Sequence, residues 1–184
     1  MLQIITPPTI PICTLSELKC HLVIEHSEED TRLNTLLNTC CDVVERDSGL
    51  KIRSQVWRQV QKCFSTAVDI EALPVRSVVV KYYDDNNVLQ TLDSSDYYLM
   101  NSTNLAAKIY PVESFPNIYS RPDAVQIDVT CGYQTIPPAA KQAVLLLAGG
   151  WNENREAEIS GTITTELKLG YQRLIDLLRN RPYL

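Results

Sequence analysis

Only two histidines, His21 and His26, occur in the 184 residues, and at i, i+5 they point to different sides of a helix or lie across its end. A metal site needs convergent ligands, so this spacing argues against one even with Glu25, Glu28 and Glu29 close by. Six glycines leave little room for a phosphate cradle, and no G-x-S-x-G, P-loop or dinucleotide-type pattern occurs. No nucleophile–base pair stands out either. The expectation is a protein with no catalytic residues, no metal and no cofactor. Basic runs are missing as well. At a net charge of −5 the chain lacks the clustered Lys and Arg that give phosphate affinity, which argues against a dedicated nucleic-acid binder. No segment reaches the roughly 18 uncharged apolar residues of a membrane span. The start, Met1-Leu-Gln-Ile-Ile-Thr-Pro-Pro, has neither the charged region nor the apolar core of a signal peptide. A soluble, unsecreted chain is expected.

Cys13, Cys20, Cys40, Cys41, Cys63 and Cys131 follow no C-x-x-C spacing. Disulfide frameworks belong to short secreted scaffolds, so all six are expected to be free, buried small hydrophobes.

What is present is a folded composition: 45% hydrophobic and 21% charged residues, in a length that suits one domain or one domain with an insertion. The hydrophobic period divides the chain. Residues 14–24 read as a short helix, with Thr14 and Glu17 as a capping box and Leu15, Leu18 and Leu22 as the stripe. Residues 27–47 read as a longer one, capped by Ser27, acidic in its first turn, and ended by Ser48-Gly49. Its apolar face is Leu33, Leu36, Leu37, Cys40, Cys41 and Val44. Strands follow: 55–64, 75–83, 88–92, 96–100, 106–110 and 124–130. Residues 75–83 and 88–92 form a hairpin around Asp84-Asp85-Asn86-Asn87. Helix resumes at 137–155 and, after a polar link, at 166–180, a segment that carries Leu167, Leu174, Leu177 and Leu178. The fold class is α+β: an antiparallel helical bundle from residues 1–50 and 134–184, with an inserted antiparallel β region at 51–133.

The 137–155 helix is the most informative element. Pro137 and Pro138 open it, where a missing N–H costs nothing. Ala140, Val144, Leu147 and Trp151 form one stripe, while Ala143, Leu145, Leu146 and Ala148 fill most of the remaining circumference. Such a helix is buried on several sides, by its own domain or by neighbouring subunits; both readings stand. Gly149-Gly150 costs roughly 1 kcal/mol per glycine relative to alanine, which suggests a close neighbour.

The tyrosines cluster in the β region. In Tyr82-Tyr83 and Tyr97-Tyr98, alternation turns one ring inward and one outward, so the outward ring can anchor a partner or simply cover the sheet. Asp84, Asp85, Asp93 and Asp96 gather near the hairpin without the spacing of a calcium loop, as a solvated turn would.

The order of these segments resembles the head–tail connector (adaptor) proteins of tailed bacteriophages and prophages, over roughly residues 15–155. Leu15-Ser-Glu-Leu-Lys-Cys-His-Leu22, an acidic link and a long helix ending in Ser48-Gly49 look like that family's opening, which usually ends in Thr-Gly. Gln55-Val-Trp57, residues 79–92, Asp96-Tyr-Tyr98 and residues 121–133 are similar to its β insertion. Phe115-Pro116 stands where Trp-Pro is common, and Ile136-Pro-Pro-Ala-Ala-Lys-Gln-Ala143 with Trp151 and Asn154-Arg155 looks like its signature helix. The resemblance is least beyond Ala157. It implies a structural virion protein at the head–tail junction, assembled in the host cytoplasm. Copies would form a ring under the portal protein, twelve-fold when assembled there, extending the DNA channel and docking the next head-completion or tail protein. DNA would pass without specific binding, helped by like-charge repulsion. Candidate contact residues are Gly149, Gly150, Trp151, Arg155, Tyr83 and Tyr98. The alternative is a non-catalytic ligand- or nucleic-acid-binding module using the β region; an enzyme with a dispersed site is the third reading.

Overall fold

The computed structural model describes residues 1–102, 106–153 and 163–179, and the fold is α+β. It divides into two compact units, Met1–Thr9 with Arg53–Gln134, and Ile10–Ile52 with Thr135–Leu184.

The first unit is built of antiparallel strands. β1 (Leu2–Thr6), β2 (Gln55–Gln61), β8 (Val125–Cys131), β4 (Val75–Tyr83) and β5 (Leu89–Thr91) make one sheet in that order. β3 (Val68–Asp69), β7 (Ala106–Pro111) and β6 (Tyr97–Ser102) make the other. β8 shows why the sequence takes this form. Val125, Ile127, Val129 and Cys131 are buried, while Gln126, Asp128 and Thr130 between them are half-buried on the opposite face. The buried set meets Val80 from β4 and Val68, Ala107 and Ile109 from the second sheet in one core. Three side chains fasten sheet to sheet. Gln59 donates to the Asp69 carbonyl at 2.7 Å and accepts from the Glu71 N–H at 3.1 Å, which sets β3 over β2. Asn101 donates to the Val75 carbonyl at 2.7 Å and the Tyr97 hydroxyl to that of Val78 at 3.1 Å, which sets β6 over β4.

Residues 1–9 differ from expectation. They lie with the strands rather than the helices, because Leu2–Thr6 adds to β2 with Leu2 opposite Gln59 and Ile4 opposite Trp57. Five residues without strict alternation carry no strand signal of their own; the pairing edge of β2 supplies it.

In the second unit, α1 (Leu15–Leu22) has the expected capping box. The Glu17 N–H donates to Thr14 Oγ1 at 3.2 Å, and Glu17 Oε2 accepts from the Thr14 N–H at 2.7 Å. It ends at Val23, whose φ of 57° is left-handed, an outlier for a β-branched residue. α2 (Asp30–Ser48) starts later than expected: Ser27 makes a backbone turn to Asp30, and the entry residue is Glu29 with no side-chain cap. Gly49, at φ 74°, closes it. α3 (Pro138–Glu153) packs on α1, α2 and α4 (Ile163–Arg179). In α4, Ile175 and Leu178 are buried, Leu174 is half-buried and Leu177 is exposed, while the side chain of Leu167 lies outside the described residues. Lys141 reaches Glu17 at 2.7 Å, Arg32 reaches Asn152 at 2.7 Å, and the Tyr171 hydroxyl donates to Asp47 at 2.8 Å, so each helix is tied to another by a polar contact.

Candidate subunit interface

In the helical unit, α3 buries one face only: Ala140, Ala143, Val144 and Ala148, at i, i+3, i+4 and i+8. Leu145, Leu146 and Leu147 are half-buried, and Trp151 is 40% exposed. The expected stripe through Leu147 and Trp151 is therefore corrected: three alanines and Val144 are the buried face, Leu147 is only half-buried and Trp151 is exposed, while Leu146 lies beside Gly170 of α4. Gly149 is half-buried, and a Cβ there would sit 3.5 Å from His21 Nε2, an ordinary contact. The neighbour is an exposed imidazole on α1, which leaves room for a methyl group. Gly150 is half-buried as well. Arg155 lies outside the described residues.

In the strand unit the two tyrosine pairs behave differently. Tyr97 turns into the core and Tyr98 is 62% exposed, as alternation requires. Tyr83 is covered: the Arg121 guanidinium lies 3.6 Å over its ring centre. Arg121 also donates to Asp123 through Nε at 2.6 Å and Nη2 at 2.7 Å, and to Asn87 Oδ1 at 2.9 Å. That pairing raises the Arg121 pKa and lowers that of Asp123. One arginine thus ties the loop after β7 to the β4–β5 hairpin. Tyr82 lies tilted against Phe64, which stacks on Phe115 at 4.2 Å between ring centres.

Of the acidic residues around the hairpin, Asp84 and Asp93 serve backbone geometry. Asp84 Oδ1 accepts from the N–H groups of Asn86 and Val88, each at 3.0 Å, and Oδ2 accepts from Gln90 at 2.9 Å. The Val88 hydrogen bond leads the causes holding its pKa below the usual carboxylate range. Asp93 starts the single turn Ser94–Asp96 by accepting from Ser95 N–H at 2.9 Å, with the same effect on its pKa. Among the described residues no group of three His, Cys, Asp or Glu converges as metal ligands, and no helix is long and apolar enough to cross a membrane.

Sequence reading missed the charged cluster on the outer face of the larger sheet. Arg58 grips Asp128 with two hydrogen bonds, 2.6 and 2.9 Å, and Lys81 adds a third at 3.0 Å. Hydrogen bonding from Arg58 first, then from Lys81, lowers the Asp128 pKa. Arg58 stands directly opposite Asp128 in register. The signal was available only as polar positions in three separate strands, which the sheet order brings together.

A groove of the strand unit, about 670 Å³, includes Phe64, Phe115 and Ile118. Asp85 and Glu113 are its charged residues, so it would repel phosphate, which weighs against a nucleic-acid platform. The cysteine expectation also needs correction. All six thiols are free, but only Cys13, Cys40, Cys41 and Cys131 are buried. Cys20 is exposed on α1, and Cys63 is exposed because β2 ends at Gln61, before the expected strand end.

No protein-family profile matches the sequence, and no curated protein is similar to it. Solved structures are similar in fold. A chain in the neck of an empty gene transfer agent particle, computed with C6 symmetry, matches at a TM-score of 0.80 and 21% identity, over 100% of this chain and 97% of that one. A chain in the virion of a native gene transfer agent particle matches at 0.78 and 20%, with the same coverage. A chain in the native neck, computed with C12 symmetry, matches at 0.76 and 21%. The chain is thus similar in fold to a chain found in gene transfer agent particles, including their necks.

Proposed function

We propose that this chain is a structural neck protein of a phage-like particle. Copies form a ring at the head–tail junction under the portal protein, twelve-fold when assembled there, extend the DNA channel, and dock the next head-completion or tail protein. The subunit is one helical bundle carrying a β insertion, assembled in the bacterial cytoplasm and without catalytic activity. The observation that carries this reading is the match over the whole chain to a chain of gene transfer agent necks, at a TM-score of 0.80. Necks computed with C6 and C12 symmetry support a ring. The acidic net charge of −5 suits a channel through which DNA moves without binding. Exposed Trp151 and Tyr98, with Gly149, Gly150 and Arg155, are the proposed contact residues. Tyr83, already covered by Arg121, contributes through the loop it holds.

Deleting the gene from the particle-producing strain tests this. The expected result is heads without tails, and recovery of tailed particles carrying the protein at the neck when the gene is restored. Tailed, DNA-filled particles of normal composition without it would overturn the reading.

A further inference from the structure

We propose that neighbouring copies join edge to edge, with β6 of one copy pairing along β1 of the next; this rests on the ring reading above. The described residues form two sheets whose outer strands are β1, β5, β3 and β6. β3 and β5 hold two and three residues, too few to template a partner. β6 is different. Its six residues, Tyr-Tyr-Leu-Met-Asn-Ser, contain no charge and no proline, and they pair with β7 without a bulge from Tyr97 to Ser102. Edge strands are ordinarily blunted by charges, prolines, bulges or shortness. β6 has none of these.

The side chains that β6 turns outward fit the same role. Tyr98 is 62% and Met100 63% exposed on one face of the strand, and tyrosine and methionine are residue types enriched where proteins meet. β1 is the longest of the other edges. It is five residues long and uncharged, its bulge lies between Ile4 and Thr6 and leaves Leu2 to Ile4 in regular register, and Ile4 and Ile5 are nearly half exposed.

Placement decides which edges meet. β3 lies over β2 and β6 over β4, through the Gln59, Tyr97 and Asn101 hydrogen bonds. β1 is the strand beyond β2, so β1 and β6 occupy opposite flanks of the same unit. A ring needs two different surfaces of each subunit to meet, and opposite flanks of one sandwich provide them. β6 against β6 would instead close a two-fold dimer and stop.

The test uses the full chain with the portal protein of the same particle. Tyr98→Lys with Met100→Lys should leave melting unchanged, since both side chains are largely exposed. It should cut ring formation, followed by mass photometry and negative-stain microscopy, by about tenfold or more, while Tyr98→Phe with Met100→Leu keeps it. In a Cys20→Ser, Cys63→Ser background, a tagged Ile4→Cys copy mixed with an untagged Met100→Cys copy should oxidise to a mixed dimer. Rings that form normally with the lysine pair, or without the mixed cross-link, overturn the inference and leave the neck reading intact. No ring from any version, alone or with portal, overturns both.

Discussion

Glycine-to-alanine exchange at three positions should give three different outcomes, because the structure uses each glycine differently. Gly132 follows β8 at φ +110°, with its N–H donating to the Pro74 carbonyl at 3.0 Å. A Cβ there would lie 2.4 Å from the Arg53 carbonyl oxygen and 2.7 Å from its carbon, both rigid backbone. A positive φ costs a side-chain-bearing residue about 1–2 kcal/mol, and overlap in a packed site adds about 1–3 kcal/mol. Gly132→Ala should therefore lose roughly 2–5 kcal/mol, a fall of roughly 5–20 °C in Tm for a chain of this size. Gly49 also has a positive φ, 74°, but a Cβ would meet nothing within 4 Å. Gly49→Ala should lose only about 1–2 kcal/mol. Gly149 is inside α3 with His21 Nε2 at 3.5 Å from the added atom, so Gly149→Ala should gain about 0.5–1 kcal/mol from helix propensity. Urea and thermal denaturation followed by circular dichroism and by tryptophan fluorescence measure all three. If Gly132→Ala costs no more than Gly49→Ala, the backbone collision does not control that turn and the reasoning fails.

Val23→Gly should stabilise the chain by about 1 kcal/mol in the same assay, because a left-handed backbone suits glycine and the valine is 86% exposed, with little burial to lose. Asp128→Asn should cost about 1–3 kcal/mol at neutral pH by removing the carboxylate that Arg58 and Lys81 share. Since the folded-state pKa of Asp128 is lowered, its contribution is present above the unfolded value of about 4 and is lost as pH falls through the folded value. The gap between the mutant and parent melting curves should narrow as pH falls below about 4; a gap that does not narrow in acid counts against the cluster. A thiol reagent should label Cys20 and Cys63 in the native chain and the other four cysteines only after unfolding, as burial pushes Cys13 and Cys40 up to about 12; fast native labelling of more than two thiols contradicts this burial. Trp151→Ala should cost about 1–2 kcal/mol in the isolated chain, less than a core tryptophan because 40% of the residue is exposed, while weakening assembly; a loss of 3 kcal/mol or more would place the indole in the core after all.

The exposed positions divide by what surrounds them. Arg121 consumes Tyr83, and the hairpin turn consumes Asp84, so neither is free to meet a partner without breaking internal bonds. Tyr98, Met100 and Trp151 are instead exposed, largely apolar side chains on regular elements. Interfaces built from such residues gain burial without disturbing the subunit, and Tyr and Trp are enriched where truncation costs most.

Local signals in the sequence determined the local structure. Thr14 with Glu17, Gly49 after a long amphipathic stretch, Asp84 to Asn87 between apolar runs, and Val125 to Thr130 in strict alternation each act within a few residues, so their outcomes did not wait on the rest of the chain. The order of segments likewise carried the likeness to connector proteins. Only the tertiary structure decided which strands became neighbours. Leu2–Thr6 is a strand because β2 offers it an edge, and Arg58, Lys81 and Asp128 form one cluster because β8 lies between β2 and β4. It also decided which side of an apolar helix was inside. Composition made α3 look buried all round, but close helix packing selected the alanines and turned Trp151 outward. Long-range pairing and close packing depend on residues far apart in sequence, where no periodic pattern within one segment can register them.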